Sequence, residues 1–193
     1  MASAESLPET FRYTEARRLG LSDRALRRLL AEGAVERVSR GLYRRTDGEQ
    51  DVDLGLLEVA HRVPDATLCL VSALSRHGLT DQIPASVDVA IPRDRRVPRI
   101  ESPVTWHHFA RETFCVGRRS EPLGAGEEIG IYSAERCIVD MFRLRHREGA
   151  EPAVEALRAW LGRKGSKPAE LMAVAHEFPP SVTPLRNALE ILL

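Results

Sequence analysis

Residues 11–45 read FRYTEARRLGLSDRALRRLLAEGAVERVSRGLYRR, and this stretch decides the fold. Two short helical patterns are separated by Gly20-Leu21-Ser22. Gly33 stops the second, and two strand-like runs then meet at Ser39-Arg40-Gly41. Helix, turn, helix and hairpin in that order predict a winged helix-turn-helix. The stretch holds ten arginines against four acids (Glu15, Asp23, Glu32, Glu36), a balance of +6 inside a chain of formal net charge 0. Positive charge concentrated on such a motif is the electrostatic footprint of a DNA reader.

The second helix divides by face. Ser22 is the expected N-cap, its hydroxyl accepting an orphan amide of the first turn. At about 100° per residue, Leu26, Leu29 and Leu30 share a face that packs on the first helix and the wing. Arg24, Arg28 and Ala31 lie opposite, with Arg27 at the flank. Base contacts usually come from the N-terminal half of a recognition helix, so Ser22, Arg24, Arg27 and Arg28 are its candidate DNA contacts. Each arginine suits a guanine edge or a phosphate, and the sequence leaves that choice open. In the wing, Val35, Val38 and Leu42 supply apolar contacts, and Gly41 permits a positive φ at the tip. Arg40, Arg44 and Arg45 are the candidate wing contacts. A plain arginine-rich surface is the competing reading, because lysine occurs only at 164 and 167. That reading explains the number of arginines and not their placement opposite the leucines.

The totals bound the rest. A chain of 193 residues with 43% hydrophobic and 29% charged residues describes a globular protein of one large or two small domains. No run reaches the length of a membrane span. The start, MASAESLPET, lacks a basic segment followed by an apolar one, so no secretory leader and a cytoplasmic location are expected. Cys69, Cys115 and Cys137 are widely spaced and odd in number, which predicts reduced, mostly buried thiols. His107 and His108 are adjacent, so on a strand they face opposite ways and make a poor metal pair. Neither a metal nor a cofactor is expected. Outside residues 11–45, 18 basic residues face 24 acidic ones, so a basic head sits on a mildly acidic body.

Along the chain, residues 1–10 are expected to form a flexible lead, and residues 11–46 the winged helix-turn-helix, with Thr14 capping a short first helix through Leu19. The polar run at 45–51 marks a boundary, and residues 52–193 form an α+β domain. Within it, helices are expected at 52–63, 72–77, 133–149, 152–161, 166–178 and 183–192. Ser72 and Thr183 act as caps, and Pro179-Pro180 as a break. Strands are expected at 67–71, 87–91, 104–108 and 129–132, while 109–127 reads ambiguously. Arg17, Arg93, Arg95 and Arg96, with Arg118 and Arg119, are candidates for additional phosphate contacts or for plain loop charge.

Several stretches, in order, carry a resemblance to a known family. They are the head from Gly20-Leu21-Ser22 to Arg40-Gly41-Leu42-Tyr43, the run Val71-Ser72-Ala73-Leu74-Ser75-Arg76-His77-Gly78-Leu79-Thr80-Asp81, and Ile83-Pro84. Val87-Asp88-Val89-Ala90-Ile91-Pro92-Arg93, Ile131-Tyr132-Ser133-Ala134-Glu135-Arg136, Asp140-Met141-Phe142-Arg143 and Glu155-Ala156-Leu157-Arg158 follow. Together they resemble the AbiEi antitoxins in their actinobacterial form, the transcriptional-regulator half of type IV abortive-infection toxin–antitoxin systems. The N-terminus is shorter than in that family. The resemblance implies a head that binds inverted repeats in double-stranded DNA of its own promoter as an autorepressor. It also implies a body that counteracts a co-encoded nucleotidyltransferase-like toxin, with direct contact left open, and no catalytic residues. The alternative is a stand-alone winged-helix repressor whose C-terminal domain senses a ligand or partner.

Enzymatic readings are weaker. Asp51-Val52-Asp53 has the spacing of a nucleotidyltransferase metal pair, but the Gly-Ser turn that grips phosphate is missing upstream and the pair sits at a helix start. A nuclease core needs a lysine near its carboxylates, and Lys164 and Lys167 lie in a late linker. Asp140 and Arg143, three apart on one helix, read as a structural ion pair. His77 before Gly78 reads as satisfying a helix C-terminus.

Overall fold

The computed structural model describes residues 6–48, 53–124 and 126–193. The chain separates into two compact units: one of Met1–Pro64 with Pro98–Ser102 and Glu121–Ile129, the other of Asp65–Val97, Pro103–Ser120 and Gly130–Leu193.

In the first unit the order is β1 (Thr10–Arg12), α1 (Tyr13–Arg18), α2 (Asp23–Ala31), β2 (Val35–Ser39), β3 (Leu42–Arg45) and α3 (Leu54–Arg62). The strands form an antiparallel sheet in the order β1-β3-β2. Leu7 and Phe11 are buried with Ala16, Leu21, Leu26, Leu29 and Val35 in one small core. Residues 6–10 are therefore part of the head and not a loose lead, while residues 1–5 of that expectation lie outside the described residues. The reason is long-range: β1 pairs with β3, a partner some thirty residues on, and three residues show no period of their own. The first helix starts at Tyr13, with Arg12 rather than Thr14 at its N-cap; Glu15 accepts the Arg12 amide at 3.4 Å.

Helix α3 begins where the Asp53 carboxylate accepts the amides of Gly55 and Leu56, both at 3.0 Å. Asp53 thus serves as a cap, and the Asp51-Val52 half of that motif lies outside the described residues. The expected domain boundary falls partly on residues 49–52, also outside them. Compactness carries the first unit through Pro64, because α3 packs on β2 and Arg12 Nη2 donates to the His61 carbonyl at 2.9 Å.

The later elements are β4 (Thr67–Leu68), α4 (Leu70–Arg76), β5 (Val87–Pro92), β6 (Val104–Phe109), β7 (Arg118–Gly124), β8 (Glu127–Tyr132), α5 (Ala134–Arg143), α6 (Arg145–Glu148), α7 (Glu151–Leu161), α8 (Pro168–His176) and α9 (Pro179–Leu192). The sheet runs β6-β5-β4-β8-β7, with β4 parallel to β8 and antiparallel to β5, and β5 parallel to β6. With the head, these elements make an α+β protein. The ambiguous stretch holds a 3-10 turn at Arg111–Thr113 and strand β7, whose sequence RRSEPLG hides any alternation. The expected strand at 67–71 is shortened because α4 starts at Leu70. Ser72 lies inside that helix, its Oγ accepting the Asp88 amide at 2.8 Å, and Cys69 is the N-cap. The single helix expected to Gly149 is interrupted at Leu144. Helix α9 starts at the proline pair instead of after it, since a proline at the first turn forfeits only an amide that has no helical acceptor.

Helix α5 is buried nearly all round and packs on α4, α7, α8 and α9. At its centre the Arg136 side chain is fully buried. Its guanidinium lies 4.3 Å from the Tyr132 ring centroid and 4.0 Å from that of Phe178. Nη1 donates to the carbonyls of Thr113 (2.8 Å) and Val116 (2.7 Å), and Nε donates to Asp140 at 2.9 Å. Asp140 also takes both Nε and Nη2 of Arg143, at 3.1 and 2.8 Å. The expected Asp140–Arg143 pair is thus present, joined by a third member. Burial pushes the Asp140 carboxyl up, against the pull of both guanidiniums.

The smaller expectations divide. Cys69 and Cys137 are buried, Cys115 is exposed, and all three are free. His107 is buried between Asp88 (2.9 Å) and Arg147 (2.6 Å), while His108 meets the Arg95 carbonyl at 3.1 Å, so the two do face apart. His77 is the C-cap of α4, its amide donating to the Ala73 carbonyl at 2.9 Å, while its side-chain Nε2 turns away to the Tyr132 carbonyl of β8 at 2.7 Å. Among the described residues no helix is long and apolar enough to cross a membrane, and no group of three or more metal-capable side chains converges.

Removing one member of a buried ion pair leaves an uncompensated charge, typically at about 3–5 kcal/mol. Asp140→Ala is expected to fall in that range by urea denaturation, and Arg143→Ala, whose side chain is 24% exposed, clearly below it. Equal losses would show that Arg136 is not the cation that depends most on Asp140.

Candidate nucleic-acid interface

The interface is built on the turn between α1 and α2. Leu21 is buried and fixes the turn, while Arg17 spans it, donating to the Leu21 carbonyl at 3.1 Å and pairing with Asp23 at 3.5 Å. Ser22 caps α2 as expected, its Oγ accepting the Ala25 amide at 3.1 Å. Tyr13 donates its hydroxyl to Asp23 at 2.6 Å, and that bond raises the phenol's pKa. These contacts tie the start of α2 to α1, so the direction in which α2 presents its outer face is set.

On α2, Leu26 and Leu29 are buried and Leu30 is partly buried against the same cluster. Arg24, Arg27, Arg28 and Ala31 are exposed. Among the described residues the Arg27 side chain donates to the Asp23 carbonyl at 3.3 Å and that of Arg28 pairs with Glu32 at 3.5 Å, both in the open. Arg24 makes no hydrogen bond or ion pair among the described residues. Such exposed pairs contribute about 0–1 kcal/mol, so all three guanidiniums are available to an incoming anion.

The wing splits its arginines. Gly41 takes a φ of 82° at the tip, as expected, and Arg40 beside it is exposed. Arg44, expected to meet DNA, is only 6% exposed and pairs with Glu36 at 3.4 Å and Glu9 at 3.7 Å. It ties β3 to its neighbours and has no face left for a ligand. Arg45, on the other side of the strand, is partly exposed and held by Asp47 through two bonds of 2.8 and 2.7 Å and by the Leu7 carbonyl at 3.1 Å. The burial of Arg44 is a correction, and the cause is the strand itself. Arg44 shares the buried side of β3 with Leu42, and the acids around both residues satisfy the charge.

In the second unit, Arg95 pairs with Asp65 at 2.6 Å, and Arg93 and Arg96 are exposed. Arg118 donates to Thr67 Oγ1 at 2.8 Å and packs under Gly130, which makes it a structural residue of the sheet. Sequence reasoning does not place Arg12, Arg62 and Arg99, which line a cleft at the wing turn within the first unit. Arg12 stands in the quoted stretch, but its neighbours in the fold come from residues about fifty and ninety positions later.

What this geometry offers is an exposed cationic face on a capped helix, flanked by a short wing with two exposed arginines, Arg37 and Arg40. Residues 1–46 match the family described as "Transcriptional regulator, AbiEi antitoxin". The head is therefore of the AbiEi type, a family of regulators and antitoxins. Among solved structures the chain is similar to the RV2827C protein from Mycobacterium tuberculosis, with 17% identity, a TM-score of 0.54, and coverage of 96% of this chain and 78% of that one. At that identity the likeness is one of fold. No curated protein matches the sequence.

The division of the arginines has a direct measure in stability. Arg44→Ala is expected to cost about 1–3 kcal/mol in chemical denaturation, since it leaves two acids without their shared donor. Arg24→Ala is expected to stay within about 0.5 kcal/mol, as for surface sites without partners. A silent Arg44→Ala would make that residue a candidate DNA contact again.

Proposed function

We propose that this chain is an antitoxin that represses its own operon, its head binding inverted repeats in the promoter DNA and its body counteracting a co-encoded nucleotidyltransferase-like toxin in the cytoplasm. The observation that carries the reading is the face of α2, where Arg24, Arg27 and Arg28 stand exposed opposite the buried Leu26 and Leu29, on a head that matches the AbiEi family. A guanidinium offers two parallel donors, which fit O6 and N7 of guanine or two phosphate oxygens. Arg24 sits nearest the N-terminus of α2, where the helix end itself favours anions. In this reading Arg24, with Ser22 beside it, reads bases. Arg27 and Arg28 divide between base and backbone, and Arg40 holds the backbone or minor groove beside the wing. The chain's part in the system is recognition; it supplies no catalytic group.

The test is a mobility shift on the DNA upstream of the chain's own gene at two salt concentrations, beside Arg24→Ala/Arg28→Ala. Specific, salt-sensitive binding that disappears in the double variant supports the reading. A base-reading arginine costs about 1–3 kcal/mol at one base pair when removed, and a phosphate-binding one lowers the salt slope by about one. Equal weakening on every sequence would sink the base-reading role of α2. A neighbouring gene for a nucleotidyltransferase, with growth arrest relieved by this chain, separates the antitoxin from a stand-alone repressor.

A further inference from the structure

Beside the wing turn the first unit holds a cleft of about 450 Å³. It is bounded by the end of β1, the turn at Ser39–Leu42, the C-terminal turn of α3, and Pro98 and Arg99. Four guanidiniums line it, those of Arg12, Arg40, Arg62 and Arg99, with the His61 imidazole among them. No carboxylate is among its described lining residues. Among the acids nearby, Glu58 pairs with one nitrogen of Arg62, Glu127 acts on Arg12 through space, and Glu15 acts on His61. The buried Glu58 gives Oε2 to the Glu101 amide (3.1 Å) and Ser102 Oγ (3.4 Å), and Oε1 to Arg62 Nε (3.3 Å), while Glu15 closes the first turn of α1. Arg40 and Arg99 make no hydrogen bond or ion pair among the described residues.

We infer that this cleft is a phosphate-binding site, separate from the exposed face of α2, in which Arg12, Arg62 and Arg99 receive a phosphate group next to the wing. Three features carry the inference. Among the described residues Arg12, Arg40 and Arg99 have no acid in ion-pair contact, and Arg62 gives Glu58 only its Nε, so like charges gathered here repel one another, and an anion of two or more oxygens relieves that repulsion while taking several guanidinium forks at once. The cleft has the volume of a small-ligand site. Arg12 is oriented in advance: its Nε donates to His61 Nε2 at 2.5 Å and its Nη2 to the His61 carbonyl at 2.9 Å, which leaves Nη1 for a ligand. The same bond makes His61 Nε2 an acceptor, so the neutral ring carries its proton on Nδ1. Burial, then Arg12 and Arg62, lower the pKa of His61, and a bound phosphate reverses the second part of that shift. Because the Ser39–Leu42 turn is a wall of the cleft, a backbone phosphate of bound DNA is the first source of the group, and that assignment rests on the DNA-binding reading of the head. A free phosphate compound offers the same chemistry from a second source.

The experiment uses the full chain and the variant Arg62→Gln/Arg99→Gln, with circular dichroism to confirm that both are folded. One arm titrates pyrophosphate by calorimetry and follows the His61 ring by NMR. The other measures the salt dependence of binding to the upstream DNA. In the DNA arm the variant is expected to reduce the magnitude of the salt slope by about one for each phosphate it no longer neutralises. In the first arm, wild-type chain is expected to bind pyrophosphate with an upward shift of the His61 titration, and the variant to bind at least tenfold more weakly. Loss of pyrophosphate binding with an unchanged DNA slope keeps the site and assigns it to a free phosphate compound. Failure of the wild type to bind DNA would remove the function proposed above and leave the pyrophosphate arm to decide the cleft. Should the variant match wild type in both arms, or should wild type fail to bind pyrophosphate while the slopes agree, the inference is overturned. Arg12→Gln repeats the comparison from a different element.

Discussion

A guanidinium out of reach of water must find partners for its charge, its hydrogens and its flat faces, and the second unit is arranged around one that does. Arg136 uses Asp140 for charge, two carbonyls before β7 for Nη1, and the rings of Tyr132 and Phe178 for its faces. Each partner comes from a different place in the chain: the turn at 113–116, the end of β8, helix α5 itself, and the residue before α9. Satisfying this one side chain therefore fixes where the sheet, α5 and α9 meet. Among the described residues one nitrogen, Nη2, has no hydrogen-bond partner, so the arrangement is well satisfied rather than complete. Such a cluster gives little net stability over an apolar core of equal volume. What it imposes is a penalty on every packing that separates its members, and hence a single arrangement of the elements that contribute to it.

The same rule, at lower burial, sorts the arginines of the head. Arg44 is buried and must be paired, so two acids hold it. Arg45 is partly covered and clasps Asp47. Arg24, Arg27, Arg28 and Arg40 are exposed, bound weakly or not at all, and cost little to redirect. The head's balance of +6 therefore overstates its active charge. A regulator that must release DNA as well as bind it is better served by a few free cations on one face than by many, since each phosphate contact steepens the dependence on salt.

This division also marks how far the sequence alone reaches. Helix α2 is legible because its cap, its leucine spacing and its glycine stop are local signals that agree. The wing is legible as a hairpin, yet the arginine count sends both Arg44 and Arg45 to the DNA, although adjacent residues on a strand point to opposite sides. Leu42, two residues before Arg44, is the available clue: a leucine required in the core places Arg44 on the same side. Strand β1 and the burial of Leu7 depend on a partner thirty residues away and leave no local trace. In the body, Asp140 and Arg143 read as a pair, but Arg136, one turn earlier on the same helix, escapes notice because an arginine is expected at the surface. The cleft lies furthest from view. Its walls come from residues 12, 39–42, 61–62 and 98–99, and only the fold brings them together.

The size of the head constrains how it can act. Helix α2 has nine residues and the wing turn is short, so one copy reaches few base pairs. Single modules of this scale bury about 600–1,000 Å² on DNA, while tight specific complexes bury more. Two remedies are open to such a head, and they differ in what they add. A second copy on an inverted repeat doubles the base contacts, and so raises the discrimination between sites. Further phosphate contacts beside the wing raise affinity for every sequence alike and bring only register. An autorepressor needs the first to find its promoter. It needs the second only to the extent that each head must be held still while one short helix is aligned with base edges.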